Sequence, residues 1–282
     1  MSSSSSDPIR DAVRAGRTLY NGWLGLGTPM APELAAEAGF DMLTIDQQHG
    51  YGGQQELMTG LLGARAAGRP ALVRVVRNDE GLIGRALDAG AQGVVVPMVN
   101  KRADALAVLA AVKYPPLGAR STGPYRGRLV LEGDYFAQAN GWTIAAIQIE
   151  TGEALGNLDE ILSVKGVDMV VVGPNDLAIT LSNGAARDVK SATMQAALAK
   201  ILAGCKKHGV IAGIFANDVE MARDVIAKGW QSVALSSDGR WYAQGAAAFM
   251  SAVKAEGAGS ESLEKGEKVG KAKAAKKPAS PY

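Results

Sequence analysis

Residues 31–53 read APELAAEAGFDMLTIDQQHGYGG and contain one structural unit of the chain. The alanine-rich segment 32–38 has the composition of a helix, and the glycine after it suits a helix C-terminus. The apolar run 42–45 predicts a buried β-strand. Asp46, His49 and three glycines follow this strand directly, and His49 is one of two histidines in the chain. This order predicts one helix–strand unit of a parallel sheet, with a polar loop at the strand's end.

The same pattern recurs along the chain, although the sequence itself does not repeat. Apolar, β-branched runs predict eight strands, at residues 23–26, 42–45, 71–76, 93–96, 144–149, 169–172, 210–215 and 232–235. Helical patterns separate them, at residues 32–38, 54–67, 80–89, 101–112, 154–164, 192–207 and 219–228. Eight such units in about 250 residues predict a (β/α)8 TIM barrel. A doubly wound open sheet is the alternative, because periodicity does not show whether a sheet closes.

The two ends of the chain differ in composition from this repeating region. Residues 1–16 begin with a serine run that lacks the apolar core of a secretion signal, and they are predicted to be a partly disordered lead. Residues 255–282 are rich in Lys, Ala and Gly and are predicted to be a disordered tail. Residues 17–254 are therefore predicted to form the catalytic barrel domain.

Composition excludes several classes of protein. The net charge is only +2, with 30 basic against 28 acidic residues, which does not favour nucleic acid as a partner. No apolar run reaches the roughly 18 residues that a membrane-spanning helix needs, so we predict no membrane partner. The single cysteine, Cys205, excludes an intramolecular disulfide and indicates a reducing compartment. We therefore predict a cytoplasmic location.

Polar side chains follow several of the predicted strands at their carboxyl ends, where TIM barrels carry their active sites. Glu150 and Asp176 are hard oxygen ligands on neighbouring strands, and such a pair suits Mg²⁺ or Mn²⁺. His49 is a candidate general base, and Asp46 is placed to orient its imidazole. Arg74 is a candidate to bind a carboxylate or a developing oxyanion. Each residue alone also fits a structural role, such as an ion pair or a helix cap, but their convergence on one rim favours function.

Six segments resemble, in order and spacing, the motifs of the HpcH/HpaI aldolase/citrate lyase family: GFDMLTIDQQHG, ALVRV, GVVVPMVN, YPPLGARSTGP, IQIETGEAL and VDMVVVGPNDLA. These are metal-dependent, class II pyruvate aldolases, typified by 4-hydroxy-2-oxoheptanedioate aldolase. The resemblance covers residues 22–239, approximately the whole repeating region. It implies a TIM barrel, commonly with the last helix exchanged between protomers of a homohexamer built as a trimer of dimers.

The resemblance also implies roles for individual residues. Glu150 and Asp176 would bind Mg²⁺, Mn²⁺ or Co²⁺, His49 and Asp46 would form an acid/base dyad, and Arg74 would stabilise an enolate oxygen. The implied substrate contacts are Arg74, Gln148, Gly173, Pro174, Asn175 and Asp176. The implied reaction is reversible aldol cleavage of a 4-hydroxy-2-oxo acid to pyruvate and an aldehyde through a metal-bound pyruvate enolate. No predicted strand contains a lysine for a Schiff base.

Gln48 is a departure from the family pattern, which usually has an acid just before the histidine, and it leaves the exact reaction open. Oxaloacetate decarboxylation is therefore an alternative, as in a macrophomate synthase-like enzyme that uses the same enolate. Residues 120–127, RSTGPYRG, are either a basic loop that closes over a larger acceptor or an ordinary mobile loop. An alternative of another class is a noncatalytic barrel that acts as an interaction protein.

Overall fold

The computed structural model describes residues 7–257, and eight parallel strands form its sheet. The strands are β1 Leu19–Leu24, β2 Met42–Asp46, β3 Ala71–Arg74, β4 Gly93–Val96, β5 Ile144–Ile149, β6 Met169–Val172, β7 Ile211–Ala216 and β8 Ser232–Ser237. Each strand pairs with the next, and β8 returns to pair with β1, where Asn21 lies opposite Ala234. This closure confirms the TIM barrel and excludes the open sheet.

Helices alternate with the strands along the chain. They are α1 Pro8–Arg14, α2 Ala31–Glu37, α3 Gln54–Ala66, α4 Glu80–Asp88, α5 Arg102–Val112, α6 Tyr135–Trp142, α7 Gly152–Gly156, α8 Leu158–Leu162, α9 Pro174–Leu181, α10 Ala192–His208, α11 Val219–Ala227 and α12 Asp238–Gly257. The contacts divide the chain into two units, one ending at Trp241 and the other beginning at Tyr242. No helix in the described range is long and apolar enough to cross a membrane.

Alternation along the strands creates two apolar layers. Side chains of one parity, such as Leu19, Met42 and Leu72, fill the barrel interior. Side chains of the other parity, such as Leu43 and Val73, pack between the sheet and the helices. Leu72 and Val73 are both fully buried, and each such side chain contributes about 1.5–3 kcal/mol. The same alternation decides which polar residues point inward at the strand ends.

Most predicted strands agree with the structure, and segments 93–96, 144–149 and 169–172 agree at both ends. The largest difference is β1, which begins four residues before the predicted start and ends two before the predicted end. The strand contains Asn21 and Gly22, which interrupt the apolar run. The Asn21 amide is nevertheless buried, and its Nδ2 donates to Thr44 Oγ1 at 2.9 Å. This internal hydrogen bond allows a polar residue inside the barrel.

Helix α1 lies inside the segment predicted as a partly disordered lead. Ile9 and Ala12 are buried in the interior core cluster, and Asp7 accepts from the Arg10 backbone N–H at 3.1 Å as an N-cap.

The predicted helix 154–164 is two short helices, α7 and α8, which meet at Asn157. Of the predicted tail, residues 258–282 lie outside the described residues, and the domain boundaries and the exchanged last helix stay predictions.

A buried ionic network lies at the amino end of the barrel. Lys113 is 2% exposed, and its Nζ donates to the Thr143 carbonyl at 2.7 Å and to Asp168 Oδ2 at 3.2 Å. Arg10 donates to the other Asp168 oxygen at 2.6 Å. Burial lowers the pKa of Lys113, because it penalises the charged form more than Asp168 stabilises it. These contacts join α1, the end of α5 and the start of β6.

The segment 120–127 also lies at this end, because it connects the end of α5 to α6 and the start of β5. Arg120 is buried, donating to Asp88 Oδ1 at 2.8 Å and to the Tyr135 hydroxyl at 3.1 Å. The hypothesis that this loop closes over an acceptor is therefore wrong for the chain's own site, which lies at the opposite end of the strands.

Candidate active site

A cavity of about 320 Å³ opens at the carboxyl ends of the strands. It brings together most of the predicted site residues, namely Asp46, His49, Arg74, Gln148, Gly173, Pro174, Asn175 and Asp176. The alternation of side chains between the two faces of each strand explains the placement of three of them. Asp46, Arg74 and Gln148 have the same parity as the interior residues of β2, β3 and β5, and each lies at or near the end of its strand. Glu150 is the one predicted site residue that does not line the cavity, although it follows Gln148 by two residues and hydrogen-bonds to its side chain.

Asp46 and Arg74 form a buried bidentate ion pair. Arg74 Nε donates to Asp46 Oδ1 at 2.9 Å, and Nη2 donates to Oδ2 at 2.5 Å. The guanidinium also lies over the Trp23 ring, 5.0 Å from its centroid, and the Trp23 indole N–H donates to Asp46 at 3.2 Å. Burial alone would raise the pKa of Asp46, but the hydrogen bonds and charge of Arg74 outweigh it and hold that pKa below its usual value. Asp46 therefore fixes Arg74 as a permanent, oriented cation.

The loop after β2 is held by the same carboxylate. Asp46 Oδ1 accepts from the backbone N–H groups of Gln48 at 2.9 Å and His49 at 3.2 Å. A Cβ at position 50 would lie 2.1 Å from the Asp46 carbonyl oxygen, so this tight turn requires Gly50. Asp46 thus binds the backbone of His49, and no described side chain hydrogen-bonds its imidazole. The exposed ring lies free at the cavity.

Glu150 is 4% exposed and hydrogen-bonded through both oxygens. Oε1 accepts from the Met98 backbone N–H at 2.8 Å, and Oε2 accepts from Gln148 Nε2 at 2.8 Å. Met98 has a φ of 56°, an uncommon conformation for a bulky residue, which places its N–H at the carboxylate. Burial raises the pKa of Glu150, and the nearby charge of Asp176 raises it further. The ionised form of Glu150 is therefore costly without a cation.

Residues 173–176 complete this part of the site at the start of α9. A Cβ on Gly173 would lie 2.6 Å from Glu150 Oε2, so only glycine leaves room for the carboxylate here. Asp176, in the first turn of α9, is exposed at the cavity. The Oε1 atom of Gln148 is buried and lacks a hydrogen-bond partner among the described residues. Glu150, Asp176 and this unpaired oxygen form a set of hard donors.

This donor set fits a divalent cation of the Mg²⁺ type. No three His, Cys, Asp or Glu side chains of residues 7–257 cluster as a complete metal site. Mg²⁺ usually takes one or two protein carboxylates and completes its shell with water and substrate oxygens. A cation beside Glu150 would also relieve the cost of burying its charge.

Several cavity residues are absent from the predicted site. Trp23 and Phe215 form an edge-to-face pair with centroids 5.6 Å apart on one wall. Asp238, just after β8, accepts from the backbone N–H groups of Gly25 at 2.9 Å and Leu26 at 3.1 Å. Arg240, two residues further, also lines the cavity. The polar sequence after the eighth predicted strand was the available signal for Asp238 and Arg240.

The comparison with known families identifies the family of this chain. The family profile described as "HpcH/HpaI aldolase/citrate lyase" matches residues 20–244. This chain belongs to that family. It is 36% identical over 230 residues to a hydroxypyruvate/pyruvate aldolase of Rhizorhabdus wittichii, covering 82% of this chain and 92% of that one. It is 35% identical over 251 residues to a 4-hydroxy-2-oxo-heptane-1,7-dioate aldolase of Salmonella dublin, covering 88% of this chain and 95% of that one.

The crystal structure of macrophomate synthase is similar in fold. It superimposes with a TM-score of 0.78 at 24% identity, covering 88% of each chain. At this identity the likeness shows the shared barrel and leaves the reaction to be argued from the site.

Proposed function

We propose that this chain is a divalent-metal-dependent pyruvate aldolase. As a carbon–carbon lyase, it would reversibly cleave a 4-hydroxy-2-oxo acid into pyruvate and an aldehyde. The observation that carries this proposal is one cavity lined by Asp176, His49 and the Asp46–Arg74 pair, beside which the buried Glu150 carboxylate accepts from Gln148, another lining residue. The aldolase names of the similar proteins support it.

Glu150 and Asp176 would hold the cation, Mg²⁺, Mn²⁺ or Co²⁺. When bound, such an ion supplies Lewis acidity toward the carboxylate and C2 carbonyl of a 2-oxo acid. Gln148 borders the same position with its unpaired Oε1. The remaining chemistry belongs to side chains and backbone groups of this chain.

The start of α9 suits the substrate carboxylate. Pro174 has no N–H, so the donors in the first turn are the backbone N–H groups of Asn175 and Asp176. These groups belong to the set that a helix leaves unpaired at its N-terminus, and they attract anions. Gly173 keeps this turn close to the cavity without a side chain in the way.

Arg74 would stabilise the oxygen at C2 as negative charge develops there. Its Nε and one Nη2 hydrogen are occupied by Asp46, so the guanidinium is fixed before substrate binds. In the described structure, its Nη1 group makes no hydrogen bond and remains for a substrate oxygen. A preoriented cation in a partly dry site strengthens this stabilisation without reorganisation during the reaction.

His49 would act as the general base in the cleavage direction. Its imidazole takes the proton of the C4 hydroxyl, the C4–O bond becomes a carbonyl, and the C3–C4 electron pair passes to the pyruvate enolate. The aldehyde then leaves, and the enolate accepts a proton at C3 to give pyruvate. A general base of this kind contributes about 10²- to 10⁴-fold to the rate.

The test combines enolisation with cleavage. We expect NMR in D₂O to show exchange of the pyruvate methyl protons with Mg²⁺ present, and its loss with EDTA or in Glu150→Ala and Asp176→Ala. His49→Ala should retain metal binding but lose about 10²- to 10⁴-fold in aldol cleavage. Glu153→Ala, an exposed acid on α7, is the matched control. Exchange that survives both EDTA and Glu150→Ala would contradict the proposal.

Oxaloacetate decarboxylation is the second candidate, and Gln48 favours it. This residue replaces the acid that the family resemblance leads us to expect, and its buried Oε1 has no described partner. Decarboxylation deprotonates no alcohol, so His49→Ala would then lose far less activity. An absence of turnover with every divalent metal would instead favour the noncatalytic barrel.

By the same resemblance we propose a homo-oligomer, a hexamer of three dimers with the last helix exchanged, and a cytoplasmic location. Sedimentation of the full chain tests the assembly.

A further inference from the structure

The first turn of α9 is held differently from the first turns of four other helices. At α4, α6, α10 and α11 the N-cap side chain accepts from free backbone N–H groups, as Asp218 accepts from the Met221 N–H at 2.8 Å. The N-cap of α9 is Gly173, which has no side chain for this purpose. A capping side chain here would occupy the N–H groups that the proposed substrate carboxylate needs. An anchor for this turn must therefore leave these groups free.

Asn217 provides such an anchor from the neighbouring strand. It directly follows β7, which pairs with β6, the strand that leads into α9. The two amides donate to each other, Asn175 Nδ2 to Asn217 Oδ1 at 3.2 Å and Asn217 Nδ2 to Asn175 Oδ1 at 3.1 Å. Because this pair joins side chain to side chain, it uses none of the backbone N–H groups of α9.

The backbone on both sides of Asn217 is held by regular structure. Ala216 before it is the last residue of β7, and Asp218 after it is the N-cap of α11. Asn217 does not line the cavity, whereas its partner Asn175 does. Asn217 can therefore act on a bound substrate through Asn175 and the turn that contains it.

We propose that Asn217 is a positioning residue that, through Asn175, holds the first turn of α9 in place for the carboxylate of the 2-oxo acid. This inference rests on the proposed aldolase function and concerns the binding of pyruvate. The carboxylate lies away from C3, where bonds change, so the turn binds it about equally before and during the reaction. A looser turn therefore weakens substrate binding and leaves the chemical step nearly unchanged.

The test measures kcat and KM for the exchange of the pyruvate methyl protons in D₂O at saturating Mg²⁺. In Asn217→Ala we expect KM to rise about tenfold, the lower end of the effect of a hydrogen bond to a charged group, while kcat stays within about twofold. Asn217→Gln should restore part of the wild-type KM, because it keeps the amide on a longer side chain. Asn175→Ala and the double variant should show the same rise as Asn217→Ala, because the two amides act as one unit.

Asn78→Ala is the matched control. Asn78 lies in the loop after β3, is half-buried and donates to the Asp104 carbonyl at 3.1 Å, but it does not line the cavity, so this variant should keep the wild-type KM.

Two results would overturn the role of Asn217 and leave the aldolase proposal intact. One is a lower thermal transition of Asn217→Ala with an unchanged KM, which would show that the amide pair only stabilises the fold. The other is a set of increases in KM that multiply in the double variant, because Asn217 would then act independently of Asn175. A wild-type protein that fails to exchange pyruvate protons would overturn both proposals.

Discussion

Replacing Gly173 with alanine tests whether the Glu150 carboxylate binds a metal. The added Cβ would lie 2.6 Å from Glu150 Oε2 and 3.1 Å from Glu150 Cβ. Ordinary contact begins at 3.4 Å, so the carboxylate must retreat by about 0.8 Å or rotate away. The side chain is buried, and its neighbour Gln148 Nε2 lies 3.3 Å from the same Cβ, so both must shift together. A carboxylate displaced by this distance no longer matches a coordination shell of fixed radius.

The expected loss of metal affinity follows from the displacement of the Glu150 carboxylate. Disturbing the groups that orient a metal ligand costs about 10- to 100-fold in affinity. We therefore expect the dissociation constant for Mn²⁺ to rise by about 10- to 100-fold in Gly173→Ala, with a parallel rise in the metal concentration needed for pyruvate exchange. Isothermal titration of the metal-free protein with Mn²⁺ measures the first quantity directly.

A matched glycine variant controls for the substitution itself. Gly84, in α4, has no atom within 4 Å of a built Cβ, so Gly84→Ala should keep the metal affinity. In a helix interior it should also stabilise the fold by about 0.5–1 kcal/mol. The reasoning is refuted if Gly173→Ala, folded as judged by its thermal transition, binds Mn²⁺ as tightly as the wild type. In that case Glu150 would not be a ligand.

Two further predictions concern the ionic networks at the two ends of the barrel. Asp46→Asn should lower the free energy of unfolding by about 3 kcal/mol at pH 7, because it leaves Arg74 buried without its counter-charge. The deficit should shrink in urea titrations as the pH falls below the usual carboxyl value of 3.8, because Asp46 binds a proton there in the unfolded wild type, whereas in the folded state its pKa is lower. Lys113→Met should lower the free energy of unfolding, measured with urea, by about 3 kcal/mol and should leave the pyruvate proton exchange unchanged. A loss of exchange in the folded variant would contradict the separation of the two ends of the barrel. Lys190→Met, which removes an exposed ion pair, should change neither quantity measurably.

The strand pattern and the rim residues could be predicted because they depend on local chemistry. Segments such as 93–96 and 169–172 are buried on both faces and therefore appear as continuous apolar runs. The residues that follow these strands lie at one end of the barrel, because all eight strands are parallel. The start of β1 could not be predicted in this way, because Asn21 is compensated by Thr44, a partner 23 residues away in the sequence.

The details of the site depend on distances that the sequence does not contain. Asp46 was predicted to orient the imidazole of His49, yet its oxygens bind Arg74, Trp23 and the loop backbone. Gly173 was expected to contact the substrate, and the structure shows a further reason for glycine at this position, the space that Glu150 occupies. Arg240 was not predicted, because the polar sequence after the eighth predicted strand does not show which of its residues line the cavity.

Two carboxylates on the same rim have pKa values displaced in opposite directions, and this divides their roles. The pKa of Asp46 is held low by Arg74 against the effect of burial, so Asp46 stays ionised without any ligand and serves to orient a cation. The pKa of Glu150 is raised, mainly by burial, so its charged form is stabilised only when another positive charge arrives. Environments that separate two acids in this way commonly mark different tasks within one active site. Here the first acid belongs to a finished structural unit, whereas the second belongs to a site that a cation would complete.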